Sequence, residues 1–170
     1  MQDSQHVSEK NQDHMEKIHG EYFDSEKMHQ EMLKVSEEFY QSLNIPYRVV
    51  LVASGELNQA TSKKYDLEGW FPGFQEFREL VSCSNCKDFP SRKLEIRFGE
   101  SKTSREKEYV HMLNSTLVAA QRCLCCVLEN YSNNDGIVVP DVLRPFMGGI
   151  DFIPFVAKPP SKGKGGKKKK

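Results

Sequence analysis

Met28, Met32, Val35, Phe39 and Leu43 recur at steps of three and four, a spacing that predicts an amphipathic helix. Asp24 and Ser25 stand where its N-terminal caps are expected, and Asn44 with Pro46 closes it. The β-branched and aliphatic run Tyr47 to Ala53 then predicts a strand, ended by Gly55. Tyr65 to Phe71 alternates as a half-buried strand does, and Phe77 to Ser82 and Leu94 to Phe98 read the same way around a short helix between Asp88 and Lys93. Gly99 to Lys107 is charged and poor in apolar residues, as in a hairpin loop or a longer excursion. Tyr109 to Leu113 predicts a further strand. It runs straight into a helix from about Ser115 to Tyr131, with Leu117, Ala120, Leu124, Val127 and Leu128 as its apolar positions and Asn114 or Ser115 as its cap. Strands on short connections between two long helices predict an α+β domain with a largely antiparallel sheet.

The chain ends behave differently. Residues 1–23 are polar and without period, and are expected to be disordered. Residues 24–157 form the expected domain, and 158–170 a lysine-rich low-complexity tail. A length of 170 residues suits one domain with tails and excludes an ordinary multidomain enzyme. The formal net charge of zero hides a segregation. Seven of the 24 basic residues lie in 158–170, which leaves 17 against 24 acids, or −7, for residues 1–157. No apolar run approaches the ~20 residues of a membrane span, and Met1 to Gly20 has no apolar export signal. With five cysteines, an odd count, the expectation is a reduced cytoplasmic protein.

Four features carry candidate chemistry. In Phe77 to Cys86 a regular strand puts Arg78, Leu80 and Ser82 on one face and Glu79 and Val81 on the other. A bulge near Ser82 would let Glu79 and Ser82 converge on a hard cation such as Mg²⁺. An edge strand with solvated charges is the commoner outcome of such spacing. Cys83 and Cys86 make half a zinc site, but only Cys123 and Cys126 of the remaining thiols share a helical face, so buried structural thiols are favoured. The junction His111 to Thr116 would offer a helix N-terminus to an anion, or a plain cap. Arg122, in apolar company, needs an anionic or stacked partner, either a ligand or a structural acid such as Glu129. The lysine tail would add salt-sensitive affinity for RNA, or merely solubility.

Several consecutive words resemble the C-terminal part of the catalytic domain of eukaryotic cytosolic-type seryl-tRNA synthetases, which are class II aminoacyl-tRNA synthetases. They are Glu37 to Tyr47, Lys64 to Gly73, Phe77 to Cys86, Val110 to Thr116 and Leu128 to Tyr131. The resemblance covers about Ser25 to Phe155, and the lysine-rich end fits it. It implies a partial class II fold, with an antiparallel sheet flanked by helices. It implies that Glu79 and Ser82 hold ATP through Mg²⁺, that Asn114 contacts L-serine, and that Arg122 is the motif 3 arginine that clamps ATP and serves the reaction. The implied activity is serine–tRNA ligation, which draws on ATP, L-serine and tRNA(Ser), and the cysteines hold no zinc.

The family also has an N-terminal tRNA-gripping arm, a motif 1 that forms the homodimer interface, and a motif 2 with an arginine for the α-phosphate. None is found in these 170 residues. Glu16-Lys17-Ile18 faintly resembles the end of motif 2, but His19 stands where a serine-binding glutamate would follow. Adenylation by the chain alone is therefore expected to be absent or barely measurable. The rival reading is a non-catalytic, synthetase-derived binding protein, either a partner subunit or an RNA binder that uses Lys158 to Lys170.

Overall fold

A computed structural model describes residues 24–98 and 108–156. The segment 1–23, the Gly99 to Lys107 excursion and the tail 158–170 lie outside the described residues. The chain runs through helix α1 (Ser25–Ser42), β1 (Tyr47–Leu51), β2 (Lys63–Phe71), β3 (Glu76–Lys87), a short α2 (Phe89–Leu94), β4 (Arg97–Phe98), β5 (Glu108–Tyr109), β6 (Met112–Ser115), α3 (Ala120–Tyr131), β7 (Gly136–Val138) and β8 (Phe152–Pro154), with a 3-10 segment at Asp141–Met147. Strands β1, β2, β3 and β6 form one antiparallel sheet in that order, while β4–β5 and β7–β8 are separate pairs. The expected α+β architecture with an antiparallel sheet is what forms.

Helix α1 starts as the sequence predicts. The Asp24 carboxylate accepts from the Glu26 and Lys27 N–H groups at 2.9 and 3.2 Å, satisfying two of the helix's free donors. Its buried face, however, is His29, Leu33, Ser36 and Tyr40, while Met28 and Val35 of the expected stripe are about half exposed. The polar members are satisfied in part, with His29 Nδ1 and the Tyr40 hydroxyl left without partners. His29 Nε2–H donates to the Cys83 carbonyl at 2.9 Å and Ser36 Oγ–H to that of Met32 at 3.3 Å, and burial of a bonded polar group is inexpensive.

Other boundaries differ from expectation, and the single strand expected over Tyr109 to Leu113 is two, β5 and β6, in different sheets. Leu94 ends α2, and Glu95 takes φ 55°, so only Arg97–Phe98 remains of the strand expected from Leu94. Helix α3 begins at Ala120, not Ser115, and its N-cap Ala119 makes no side-chain cap bond. Asn114 and Ser115 are strand residues of β6 and cap nothing. The α3 stripe is also rotated. Cys123, Cys126 and Val127 are buried, whereas Leu117, Leu124 and Leu128 are exposed. The core lies between α1, α3 and one face of the sheet, around Tyr40, Leu43, Leu67, Phe71, Leu80 and Cys126.

Candidate functional site

Strand β2 buries Leu67, Gly69 and Phe71 toward the helices, so Lys64, Asp66 and Glu68 project from the opposite face. On β3 the pairing runs Leu67↔Val81 and then Glu68↔Glu79, which leaves Leu80 as an extra, unpaired residue. Leu80 and Val81 are both buried, 1% exposed each. The bulge shifts the side-chain parity by one and brings Glu79 and Ser82 onto the same face, opposite Glu68 and Asp66 respectively. Asn114 joins them through the pairing Ser84↔Asn114. From β1, Arg48 stands opposite Glu68 and donates to its carboxylate at 2.6 Å. Its guanidinium also lies 4.8 Å from the centre of the Phe77 ring. Neither long helix covers this polar face.

Arg122 reaches the same place from the first turn of α3. Its Nη1 donates to the Glu79 carbonyl at 3.1 Å and lies 3.4 Å from the Glu79 carboxylate. The acid beside Arg122 is therefore Glu79 and not Glu129, whose carboxylate instead accepts from the Gly73 N–H at 2.8 Å. Beside Arg122 a cavity of about 660 Å³ opens between α3 and the β2–β3 turn, lined among others by Phe71, Phe74, Arg78, Cys125 and Glu129. The expected helix-terminal anion site at Asn114 to Thr116 is absent, because that segment is extended and α3 starts later. The four residues singled out in the sequence, Glu79, Ser82, Asn114 and Arg122, thus meet on or beside one face.

Sequence reasoning did not pick out Arg48, Asp66 or Glu68 on that face. The alternation of Lys64, Asp66 and Glu68 was a usable signal, but which β3 residues share their face depended on the bulge. Asp66 is the most constrained of the three. Its Oδ1 is buried without a hydrogen-bond partner, while Oδ2 faces Lys64 Nζ at 3.3 Å. Burial raises its pKa, reinforced by the nearby Glu79 carboxylate and opposed by Lys64 and by the Ser82 hydroxyl opposite it. A site of carboxylate and hydroxyl oxygens with one carboxylate oxygen unsatisfied fits a hard divalent cation. No group of three or more His, Cys, Asp or Glu side chains among the described residues is arranged to hold a metal by itself. Such a cation would take most of its ligands from a bound phosphate chain, as Mg²⁺ commonly does.

The thiols pack elsewhere. Cys83, Cys123 and Cys126 are buried, Cys86 half-buried near Thr61 and Cys125 exposed, and all five are free. Burial raises the pKa of Cys83 and Cys123 and pushes Cys126 up to about 12.

Residues 7–131 match the family model of the tRNA synthetase class II core domain (G, H, P, S and T). The chain is 58% identical over 141 residues to the cytoplasmic serine–tRNA ligase of Arabidopsis thaliana, covering 82% of this chain and 31% of that protein. It is 62% identical over 134 residues to the one from Dictyostelium discoideum, covering 78% and 30%. Among solved structures it resembles the cytoplasmic serine–tRNA ligase of Naegleria fowleri in complex with AMP, with a TM-score of 0.74 and 56% identity over 77% of this chain and 31% of that one. It also resembles the seryl-tRNA synthetase of Pyrococcus horikoshii complexed with ATP, with a TM-score of 0.74 and 41% identity over 79% and 30%. The chain thus spans about a third of the length of these relatives.

Proposed function

Given that the chain belongs to the class II tRNA synthetase core domain family, we propose that it is the motif 3 portion of a seryl-tRNA synthetase catalytic core. It would bind ATP and L-serine on the open sheet face. The activity to which it contributes is the ATP-dependent activation of serine and its transfer to tRNA(Ser), in a cytoplasmic setting like that named for its relatives. The observation that carries this reading is the bulge at Leu80, which sets Glu79 and Ser82 on one face beside Arg122.

The chemistry asks little covalent help of the protein. Serine's carboxylate is already ionised at neutral pH, so it attacks the α-phosphorus and expels pyrophosphate without a general base. Positioning and charge neutralisation are what the site must supply. Glu79 and Ser82 would hold Mg²⁺, which when bound neutralises charge on the phosphate oxygens. Arg122 presents a planar guanidinium to the nucleotide from a backbone-anchored position, and the Asn114 amide offers both a donor and an acceptor to serine. Glu68, held by Arg48, keeps a second negative charge beside Glu79.

These 170 residues contain no candidate for the arginine that contacts the α-phosphate in motif 2. Loss of such a pre-placed charge costs about 3 to 4 kcal/mol of transition-state stabilisation. The chain alone is therefore expected to bind MgATP, yet to give serine-dependent ATP–pyrophosphate exchange at or below the limit of detection. Robust exchange would refute the assignment of a partial site, and no MgATP binding by calorimetry would refute the site itself.

A further inference from the structure

We propose that Glu129 is a positioning residue that fixes Arg122 against β3 by clamping the β2–β3 turn, an inference that rests on Arg122 belonging to the nucleotide site. Arg122, Cys125 and Glu129 follow one another at steps of three and four, so they share one face of α3, and all three line the cavity beside the hairpin. Four side chains tie the helix to the hairpin, one of them Cys126, whose thiol faces the Trp70 carbonyl at 3.4 Å. Arg122 donates to the Glu79 carbonyl at 3.1 Å, Asn130 Nδ2 donates to the Trp70 carbonyl at 2.9 Å, and Glu129 Oε2 accepts from the Gly73 N–H at 2.8 Å. Arg122 and Glu129 stand seven residues apart, about 10 Å along the axis, so any swing at the Glu129 end is transmitted to Arg122.

Arg122 cannot be fixed by its own burial. Its side chain is 59% exposed, and its direction is set by the helix that carries it and by the carbonyl and carboxylate of Glu79. A Cβ at Gly73 would stand 2.9 Å from Glu129 Oε2, so the free end of the Glu129 side chain would have to shift from this contact. The turn that Gly73 belongs to is itself tightly formed, with Gln75 at φ 55° and its N–H on the Phe71 carbonyl at 2.8 Å. It places Phe74 under the Arg78 guanidinium at 4.0 Å. The Glu129 acceptor thus joins α3 to a turn that leads directly into the strand holding Glu79.

The joint uses an acceptor oxygen and not a charge. Glutamine at 129 keeps such an oxygen, whereas alanine removes it. In the 170-residue chain, the Arg122 side-chain Nε–H signal is followed by NMR, assigned by its loss in Arg122→Lys, alongside MgATP affinity by calorimetry. Glu129→Ala is expected to shift or broaden the Arg122 signal and to weaken MgATP binding by up to about tenfold, the size of effect expected from one loosened hydrogen bond to a charged group. Glu129→Gln restores both. Gly73→Ala, which displaces the carboxylate without removing it, reproduces the alanine effect and serves if Glu129→Ala does not fold. An unchanged Arg122 signal in both Glu129→Ala and Gly73→Ala overturns the proposal, and so does a Glu129→Gln variant as impaired as Glu129→Ala. If Arg122→Ala leaves MgATP affinity intact, the nucleotide reading fails, while the Arg122 signal still decides the clamp.

Discussion

Glu79→Gln separates a functional carboxylate from a solvated one. In the sheet Glu79 lies directly opposite Glu68, and both project from the open face. Like charges so placed destabilise by a few tenths of a kcal/mol up to about 1 kcal/mol. Against this stands the ion pair with Arg122 at 3.4 Å, with side chains 42% and 59% exposed for Glu79 and Arg122. A pair this open to solvent contributes about 0.2 to 1 kcal/mol. The two effects oppose each other, and the Arg122 bond to the Glu79 carbonyl survives the substitution. Stability should therefore change by less than about 0.5 kcal/mol, within about 2 °C in Tm for a chain of this size. Divalent cation binding should respond far more. Removing a supporting group from a metal site costs about 10- to 100-fold, and a direct oxygen ligand should cost at least about tenfold. The assay is a Mn²⁺ titration by electron paramagnetic resonance in the presence of ATP, set beside a thermal melt. A fall in Tm beyond about 5 °C with unchanged Mn²⁺ affinity would refute the reasoning, because Glu79 would then be a structural acid.

Two further outcomes test the packing beneath the site. A Cβ at Gly69 would stand 2.4 Å from Leu80 Cδ1 and 3.1 Å from Cys126 Sγ, so Gly69→Ala should overpack the core at the bulge and cost about 1 to 3 kcal/mol; an unchanged urea midpoint would contradict it. The buried thiols should make the fold sensitive to base. In the unfolded chain a thiol ionises near its ordinary 9.0, whereas native Cys126 keeps its proton up to about 12. Between these values the native state binds more protons than the unfolded one. Stability therefore falls as pH rises through that window, by up to about 1.4 kcal/mol per pH unit for each such thiol. Urea midpoints that stay level through that window would count against it, and Cys126→Ala should flatten the slope.

The sequence carried the element types well and their facing poorly. The caps at Asp24 and the stop at Asn44 were legible because they are local. The buried faces of α1 and α3 were not, since apolar spacing favoured Met28, Val35, Leu117 and Leu124, all of them exposed. The face that packs includes His29, Ser36, Cys123 and Cys126, residues of small size or with an internal hydrogen-bond partner that only the assembled sheet supplies. The start of α3 was misplaced for a related reason. Asn114 and Ser115 look like caps, but pairing with Ser84 and Cys83 extends β6 across them, and tertiary pairing overrides a local preference.

The site depends on one residue of register. Without the bulge, Glu79 and Ser82 would lie on opposite faces, and no cation could use both. Leu80 supplies the extra residue because two successive apolar side chains, Leu80 and Val81, are both buried against the helices. The open face then breaks local rules. Two glutamates oppose each other across β2 and β3, each with an arginine beside it, and one carboxylate oxygen of Asp66 is buried without a partner. The buried Asp66 oxygen costs stability, whereas the opposed glutamates are largely offset by Arg48 and Arg122. A bound cation with its phosphates would act on both features at once, and β3 lies inside the sheet between β2 and β6, so the solvated edge strand that the spacing also allowed is not what forms.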